Sequence, residues 1–224
     1  MSTILSTKKL TSPQQELILN TGMGLVHFDI LEIEHCEIND QLHSDAIIIT
    51  SKNAIPALEK IAIKKPIFCV GQVTAELLKE HEVSFIADNA TELAHYIIKN
   101  QSTLSFDYLC GSHRRDELPD LLKAQNIRVK EHIVYHSHKV SKSFDRTFAR
   151  VLFYSPRGVL AFAKANSSPR PFQGKESGKI KAVCIGNTTA AEARKHFTNV
   201  ITATKPTVTN TIITAIKSLK NDQE

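Results

Sequence analysis

Short apolar runs alternate along the chain with longer stretches whose apolar residues recur at helical spacing. The short runs predict strands at about 3–6, 24–30, 46–50, 67–70, 83–86, 107–110, 127–135, 150–154, 180–185 and 199–203. The helical stretches fall at about 12–20, 53–64, 73–81, 91–99, 114–125, 157–165, 188–197 and 208–219. Strand–helix alternation of this kind predicts an α/β protein, with parallel sheets covered by helices on both faces. Several helix starts carry local signals. Asn89-x-x-Glu92 has capping-box spacing, and Ser12-Pro13 reads as a cap followed by proline at the first helical position. Pro119 lies inside 114–125 and argues against a straight helix there, or for a later start.

Two segments break the alternation. Residues 30–42 and 131–140 are extended and polar on one side. They read as two antiparallel strands that carry the chain out to a second domain and back, a connector that would act as a hinge. The first domain is then discontinuous, 1–34 plus 140–224, and the inserted domain spans 38–135.

The chain also repeats itself faintly. Thr50-Ser51-x-x-Ala54 is echoed by Tyr154-Ser155-x-x-Gly158, and Val70-Gly71-x-x-Thr74-Ala75 by Ile185-Gly186-x-x-Thr189-Ala190. Asn89-Ala90-Thr91 is echoed by Lys205-Pro206-Thr207. The offset is 104 residues at Ser155 and 115 at Thr189, and the difference fits an insertion, for which 167–174 is the candidate. Each echoed motif sits where a short apolar run ends and a helix begins. Two similar α/β units with hydroxyl-bearing helix starts predict a ligand held between two domains.

Composition sharpens this only slightly. Apolar residues make up 42% and charged residues 23% of 224, enough for a buried core. No run approaches the roughly 18 apolar residues of a membrane span, and the N-terminus lacks the order of a signal peptide. A cytoplasmic protein with no membrane partner is the expectation. Cys36, Cys69, Cys110 and Cys184 are widely spaced and read as reduced, structural thiols. The net charge of +5 permits an anionic partner. Lys64, Lys65, Lys79, Lys99, Lys217 and Lys220 fall near helix ends, where cations offset the helix dipole. Lys8, Lys9, Arg114, Arg115 and Arg157 lie near strand-to-helix turns and are better placed for an anion. The basic residues are scattered and no aromatic–basic motif interleaves them, so no nucleic-acid partner is expected.

The familiar constellations are absent. There is no Gly-x-Gly-x-x-Gly, P-loop, Gly-x-Ser-x-Gly or His-Glu-x-x-His. His132, His136 and His138 share parity and would lie on one strand face, read here as a solvent-facing connector with no metal. What remains is Ser51, Thr74, Thr91, Ser155, Thr188, Thr189 and Thr207 at strand-to-helix junctions, with Gly71 and Gly186 beside them. Singly, each reads as a helix cap worth about 1 kcal/mol. Together they matter more, because open α/β sheets bind ligands outside the carboxyl ends of their strands, and helix starts bind anions. Tyr135 ends a strand and projects either toward that site or into a half-buried ribbon.

The order of these motifs resembles uroporphyrinogen-III synthase over nearly the whole chain. The residues concerned are Thr50-Ser51-x-x-Ala54, Val70-Gly71-x-x-Thr74-Ala75, Gly111-x-x-x-Arg115-x-x-Leu118 with Val129 and Tyr135, Ser155-Pro156-x-Gly158-Val159-x-x-Phe162, Cys184-Ile185-Gly186-x-Thr188-Thr189-Ala190 and Pro206-Thr207. The resemblance implies two Rossmann- or flavodoxin-like α/β domains joined by a two-stranded antiparallel connector. It implies cyclisation of the small-molecule substrate hydroxymethylbilane to uroporphyrinogen III by a monomer without metal or organic cofactor. It further implies catalytic roles for Thr74 and Tyr135. Substrate contacts would come from Ser51, Gly71, Thr91, Ser155, Gly186, Thr188, Thr189 and Thr207. Where the family often has Thr-Arg-Pro after its first strand this chain has Thr7-Lys8-Lys9, and where it has Ser-Pro-Ser this chain has Ser155-Pro156-Arg157. A non-catalytic two-domain binding protein for a carboxylated small molecule is the competing reading.

Overall fold

The structure is a computed structural model that describes residues 2–38, 40–61, 64–166 and 180–222. The insertion expected at 167–174 lies outside the described residues. The chain divides into two compact units, residues 1–32 with 139–224 and residues 33–138.

The first unit holds strands β1 (Thr3–Ser6), β2 (Gly24–His27), β9 (Arg150–Phe153), β10 (Lys181–Cys184) and β11 (Asn199–Thr202). Its helices are α1 (Ser12–Leu19), α6 (Pro156–Asn166), α7 (Asn187–Ala193) and α8 (Val208–Lys220). The sheet order is β11-β10-β9-β1-β2, and every neighbouring pair is parallel. Alternation along β1 decides which helices it meets. Leu5 packs on one face with Phe28, Phe153 and Phe162, while Ile4 packs on the other with Leu10, Ile18 and Ile212. Burial on both faces is why Ile4-Leu5 and Val151–Phe153 read as unbroken apolar runs within β1 and β9.

The second unit holds β3 (Leu31–His35), β4 (Ala46–Ile49), β5 (Ile67–Val70), β6 (Val83–Ala87), β7 (Phe106–Gly111) and β8 (Val129–Lys139). Its helices are α2 (Ile55–Glu59), α3 (Gln72–Leu77), α4 (Ala90–Asn100) and α5 (Glu117–Ala124). The order is β3-β8-β7-β4-β5-β6, parallel from β8 to β6. Ile47 and Ile49 face one layer with Leu58, Cys69 and Leu78, and Ile48 faces the other with Phe68, Leu93 and Leu122. The edge strand β3 is the antiparallel exception. Cys36 donates to the carbonyl of Val134 at 2.9 Å, and Val140 donates to that of Ile30 at 2.9 Å, so one chain rises as the other falls. The mixed α/β class, the two parallel sheets and the antiparallel strand pair are as the sequence predicts.

The two units share one spatial plan in different chain orders. The strands β8-β7-β4-β5-β6 correspond in place to β2-β1-β9-β10-β11. Register confirms the alignment of the first two echoes, since Ile49 faces Cys69 as Phe153 faces Cys184. The third echo shifts. Thr207 caps α8, whereas the cap of α4 is Asn89 and Thr91 lies inside that helix.

Several elements differ from expectation. The helix expected at 53–64 is a 3-10 turn, Lys52–Ala54, running into the short α2, in which Pro56 occupies the first turn. The cap of α1 is Thr11 rather than Ser12, and its N–H donates to Gln14 Oε1 at 3.1 Å. The helix expected at 114–125 starts at Glu117, which puts Pro119 in the first turn where its missing N–H costs no helical bond. The strands expected at 127–135 and 131–140 are one continuous strand. Its three histidines do not share a solvent face. The register of β8 against β7 slips between Cys110 and Gly111, and the bulge reverses which parity is buried. His132, before the bulge, is buried, with Nε2 2.8 Å from Oδ1 of the fully buried Asp107, while His138, after it, is exposed beside Glu34.

Candidate functional site

Parallel strands place all their following turns on one edge, and in the second unit that edge collects the residues of interest. The chain leaves β4 through Thr50 and Ser51, β5 through Gly71, β6 through Asp88 and Asn89, and β7 through Ser112. The direction of winding reverses between β4 and β7, so the switch point lies beside Thr50 and Gly111. Ser51 caps the 3-10 turn, its Oγ accepting from the N–H of Asn53 at 3.3 Å. Gly71 has φ 85°, a left-handed conformation that favours glycine, and its carbonyl accepts from the N–H of Thr74 at 3.0 Å. Thr74 is 7% exposed. Its hydroxyl has no hydrogen-bond partner among the described residues. No fully buried side-chain N or O atom there lacks a partner, so the exposed few per cent includes this hydroxyl. Thr91 differs, because its hydroxyl donates to Glu117 Oε1 at 2.5 Å and stands beside a carboxylate.

Tyr135 owes its position to the bulge. Pairing runs from Phe106 with Val129 to Cys110 with Ile133, then skips Val134 so that Gly111 faces Tyr135. The tyrosine ring lies over Gly111 so closely that a Cβ there would sit 2.5 Å from Cζ and 2.8 Å from the hydroxyl. Ser112 donates its N–H to the carbonyl of Tyr135 at 3.0 Å and ties the two strand ends together. A half-buried phenol is thereby held at the carboxyl edge beside the switch point.

The nearby cations are less available than the sequence suggests. Arg114 pairs with both Glu131 and Asp116, and Glu131 also holds Lys123 at 2.9 Å. Burial would lower the pKa of Arg114, but the two acids outweigh it and hold it above its ordinary value. Burial would likewise raise Glu131, and Lys123 with Arg114 overcome this and hold it low. Arg115 is exposed and makes no ion pair among the described residues.

The first unit repeats the theme. Ser155 Oγ accepts from the N–H of Gly158 at 3.0 Å, and Thr207 Oγ1 from that of Asn210 at 3.1 Å. Gly186 precedes α7 with extended backbone and open space where a Cβ would stand. Thr188 is exposed and Thr189 is 4% exposed. Thus Ser51, Gly71, Thr74, Thr91 and Tyr135 gather on the carboxyl edge of one sheet, and Ser155, Gly186, Thr188, Thr189 and Thr207 on that of the other. Capping and ligand binding are compatible here. A capping hydroxyl accepts through its oxygen and keeps its proton for another acceptor. The helices α3 and α7 are short, so their turns offer N–H groups rather than a strong dipole.

Sequence reasoning passed over the hydroxyl contacts at the two switch points. Thr50 Oγ1 lies 2.8 Å from the Tyr108 hydroxyl, and Ser6 Oγ lies 3.2 Å from that of Tyr154. The repeat paired Thr50 with Tyr154 and so held part of the signal. Burial pushes the thiols of Cys110 and Cys184 up to about 11 and about 12, and raises that of Cys69, which keeps them protonated and inert. No group of three or more His, Cys, Asp or Glu side chains among the described residues could hold a metal ion.

Residues 13–212 match the family model described as uroporphyrinogen-III synthase HemD. The chain belongs to that family. It is 24% identical over 232 residues to the porphyrin biosynthesis protein HemD of Ruminiclostridium josui. That alignment covers 88% of this chain but 44% of the relative, so the chain spans less than half the length of that protein. Among solved structures it is similar to the uroporphyrinogen-III synthetase of Helicobacter pylori 26695, with TM-score 0.71 and 18% identity over 97% of this chain and 100% of that one. A mutant uroporphyrinogen III synthase of the extremely thermophilic bacterium Thermus thermophilus matches with TM-score 0.61 and 11% identity over 99% and 100%. At these identities the two structures establish a common fold. No helix among the described residues is long and apolar enough to cross a membrane.

Proposed function

We propose that the chain closes hydroxymethylbilane into uroporphyrinogen III, inverting the last ring and releasing water. The observation that carries the reading is the family match over residues 13–212. The carboxyl edges described above support it. The substrate bears an acetate and a propionate on each of four pyrroles, and the strand-end turns of each unit offer hydroxyl protons and main-chain N–H groups to such acids. The electron-rich terminal pyrrole expels its own hydroxyl, giving an azafulvene, and the departing hydroxyl takes up a proton to leave as water. Tyr135 donates a hydrogen bond to that hydroxyl, a contribution of about 10²–10⁴-fold for a general acid. The substituted carbon of the last ring then attacks to form a spiro intermediate, which fragments and recloses inverted, losing a proton.

Closure without inversion occurs spontaneously, so the protein's task is geometric. Holding reacting ends in register supplies about 7–11 kcal/mol in favourable cases. This accounts for a site built from caps, glycines and one phenol rather than from a strong acid–base pair. No cofactor is needed in this chemistry. The same reading expects a monomer acting in the cytoplasm, which light scattering and cell fractionation would check. The decisive experiment incubates the protein with hydroxymethylbilane and resolves the product isomers. Uroporphyrinogen III above the spontaneous I isomer is the expected result. A product mixture equal to that in buffer overturns the proposal, and bilane binding without isomer III would mark a non-catalytic binding protein.

A further inference from the structure

Each unit places a tyrosine hydroxyl against an aliphatic hydroxyl at its switch point, and the two arrangements exchange strands. In the second unit Tyr108 lies on β7 and Thr50 follows β4. In the first unit Tyr154 follows β9, which corresponds to β4, and Ser6 ends β1, which corresponds to β7. The positions agree by register. Ile48 faces Tyr108 as Leu152 faces Ser6, and the residue two beyond is Thr50 in one case and Tyr154 in the other.

Proton counting assigns the donors. Ser6 has one hydroxyl proton and gives it to the carbonyl of Lys8 at 2.7 Å. Tyr154 is therefore the donor to Ser6. The resulting chain, phenol to serine to carbonyl, ends on the main chain and fixes the turn that carries Lys8. In the second unit Tyr108 is 2% exposed, packed with Ile48, Phe68, Phe106 and Leu118. Burial pushes its pKa up to about 12, so it keeps its proton at neutral pH. Thr50 Oγ1 is its hydrogen-bond partner among the described residues, and leaving a buried phenol proton unmatched is unfavourable. Tyr108 thus donates to Thr50. The chain does not continue here as it does through Ser6, for Thr50 has no further acceptor among the described residues and is half-buried at the open strand end. Its own proton faces an acceptor from outside.

We propose that Thr50 is a further carboxylate-binding residue, its hydroxyl aimed by Tyr108 as a positioning residue. The identity of the carboxylate as part of a bilane rests on the function proposed above, but the donor itself does not. Thr50 adjoins Ser51 in sequence, and across the switch point Gly111 ends β7, with Tyr135 of β8 paired to it beyond. Thr50 shares the sheet face of Ile48 and Tyr108, and Ser51, next along extended backbone, takes the opposite face with Tyr135, so an acid held by Thr50 is a contact separate from theirs.

The test compares wild type with Thr50→Val, Thr50→Ser and Tyr108→Phe in two assays. Turnover of hydroxymethylbilane gives kcat, KM and the ratio of isomers III and I. Fluorescence titration with uroporphyrin, an eight-carboxylate porphyrin, reads binding without turnover. Thr50→Val should raise KM and the porphyrin Kd about tenfold, the scale of one hydrogen bond to a charged group, with kcat changed less. Thr50→Ser restores the hydroxyl and should return both constants to within about twofold of wild type. Tyr108→Phe, with Thr50 present but unaimed, should fall between. Equal KM and Kd across wild type, valine and serine overturn the proposal, whatever happens to Tm. Isomer III from wild type with those constants equal leaves the function standing and removes Thr50. Thr50-dependent porphyrin binding without isomer III does the reverse. A wild type that neither binds porphyrin nor forms isomer III overturns both.

Discussion

Replacing Gly111 by alanine adds one methyl group beneath the ring of Tyr135. The new Cβ would lie 2.5 Å from Cζ and 2.8 Å from the hydroxyl. Carbon atoms pack at about 3.5 Å or more, so the ring must retreat by roughly 1 Å. Overpacking of this kind costs about 1–3 kcal/mol, which a folded protein of ordinary stability tolerates. The larger effect is on geometry, since a misplacement of about 1 Å costs on the order of 10²-fold in rate. Gly111→Ala should therefore lower kcat for isomer III about 10²-fold, while circular dichroism and a modestly lowered Tm report an intact fold. Because the spontaneous reaction gives isomer I, the III-to-I ratio should fall in step. The effect must also pass through Tyr135. In a Tyr135→Ala background the same methyl group meets no ring, and Gly111→Ala should then change kcat by less than about twofold. Wild-type kcat and isomer ratio in Gly111→Ala would refute the reasoning, as would an undiminished loss in the Tyr135→Ala background.

The remaining expectations concern protons and backbone. Tyr108 and Tyr154 are both pushed up to about 12, chiefly by burial, against an ordinary value of 10.0. A raised folded pKa gives stability that is present below pH 10 and lost as pH rises toward 12, so alkaline melts should steepen in that window and Tyr108→Phe should flatten them. Glu131 is held below 4.5, so its contribution is present above that value and disappears as pH falls through the lowered one. Glu131→Gln should cost about 1 kcal/mol at neutral pH and weaken the acid dependence of urea midpoints below pH 4.5; an unchanged acid limb would refute the assignment. Gly71→Ala forces an alanine to φ 85° and should lose about 1–2 kcal/mol in denaturant melts. Gly186→Ala, with extended backbone and open space, should leave stability within about 0.5 kcal/mol yet raise KM where a ligand approaches that turn; a large fall in Tm would contradict the local geometry.

The sequence made the sheets legible because a parallel strand buried on both faces has little choice of residue. Ala46–Ile49 and Arg150–Phe153 are the clearest cases, buried at every position. The strand ends were legible because turns after parallel strands require glycine or caps, and Ser51, Ser155 and Thr207 do act as caps. Features set by one strand against another were hidden. The bulge opposite Gly111 depends on how β8 registers with β7, and no spacing within either strand announces it. His132, before it, faces inward to Asp107, while the bulge lays Tyr135 onto Gly111 and turns His138 outward, and so breaks the parity argument for the histidines. Ion pairs were hidden for the same reason, and Arg114 reads as a free cation until Glu131 comes alongside.

The shared spatial plan explains why the echo was faint and why it was restricted to certain stretches. In the second unit the three strands β4, β5 and β6 precede their neighbours β7 and β8, whereas in the first unit β9, β10 and β11 follow β1 and β2. A linear comparison can align only the three-strand portion, and all the echoes fall there. The other two strands of each unit correspond in space without doing so in chain order. Equivalence therefore has to be judged by position, and by position the hydroxyl pairs match while their residues exchange sides: Thr50 with Tyr108, Tyr154 with Ser6. A side chain reaching from either strand can fill the same space at a switch point, because both strand ends flank one crevice. What the two units hold in common is a place for a phenol, buried in Tyr108 and half-buried in Tyr154, to aim a smaller hydroxyl. The outcome differs by one acceptor: the Lys8 carbonyl takes the proton of Ser6, and Thr50 keeps its own.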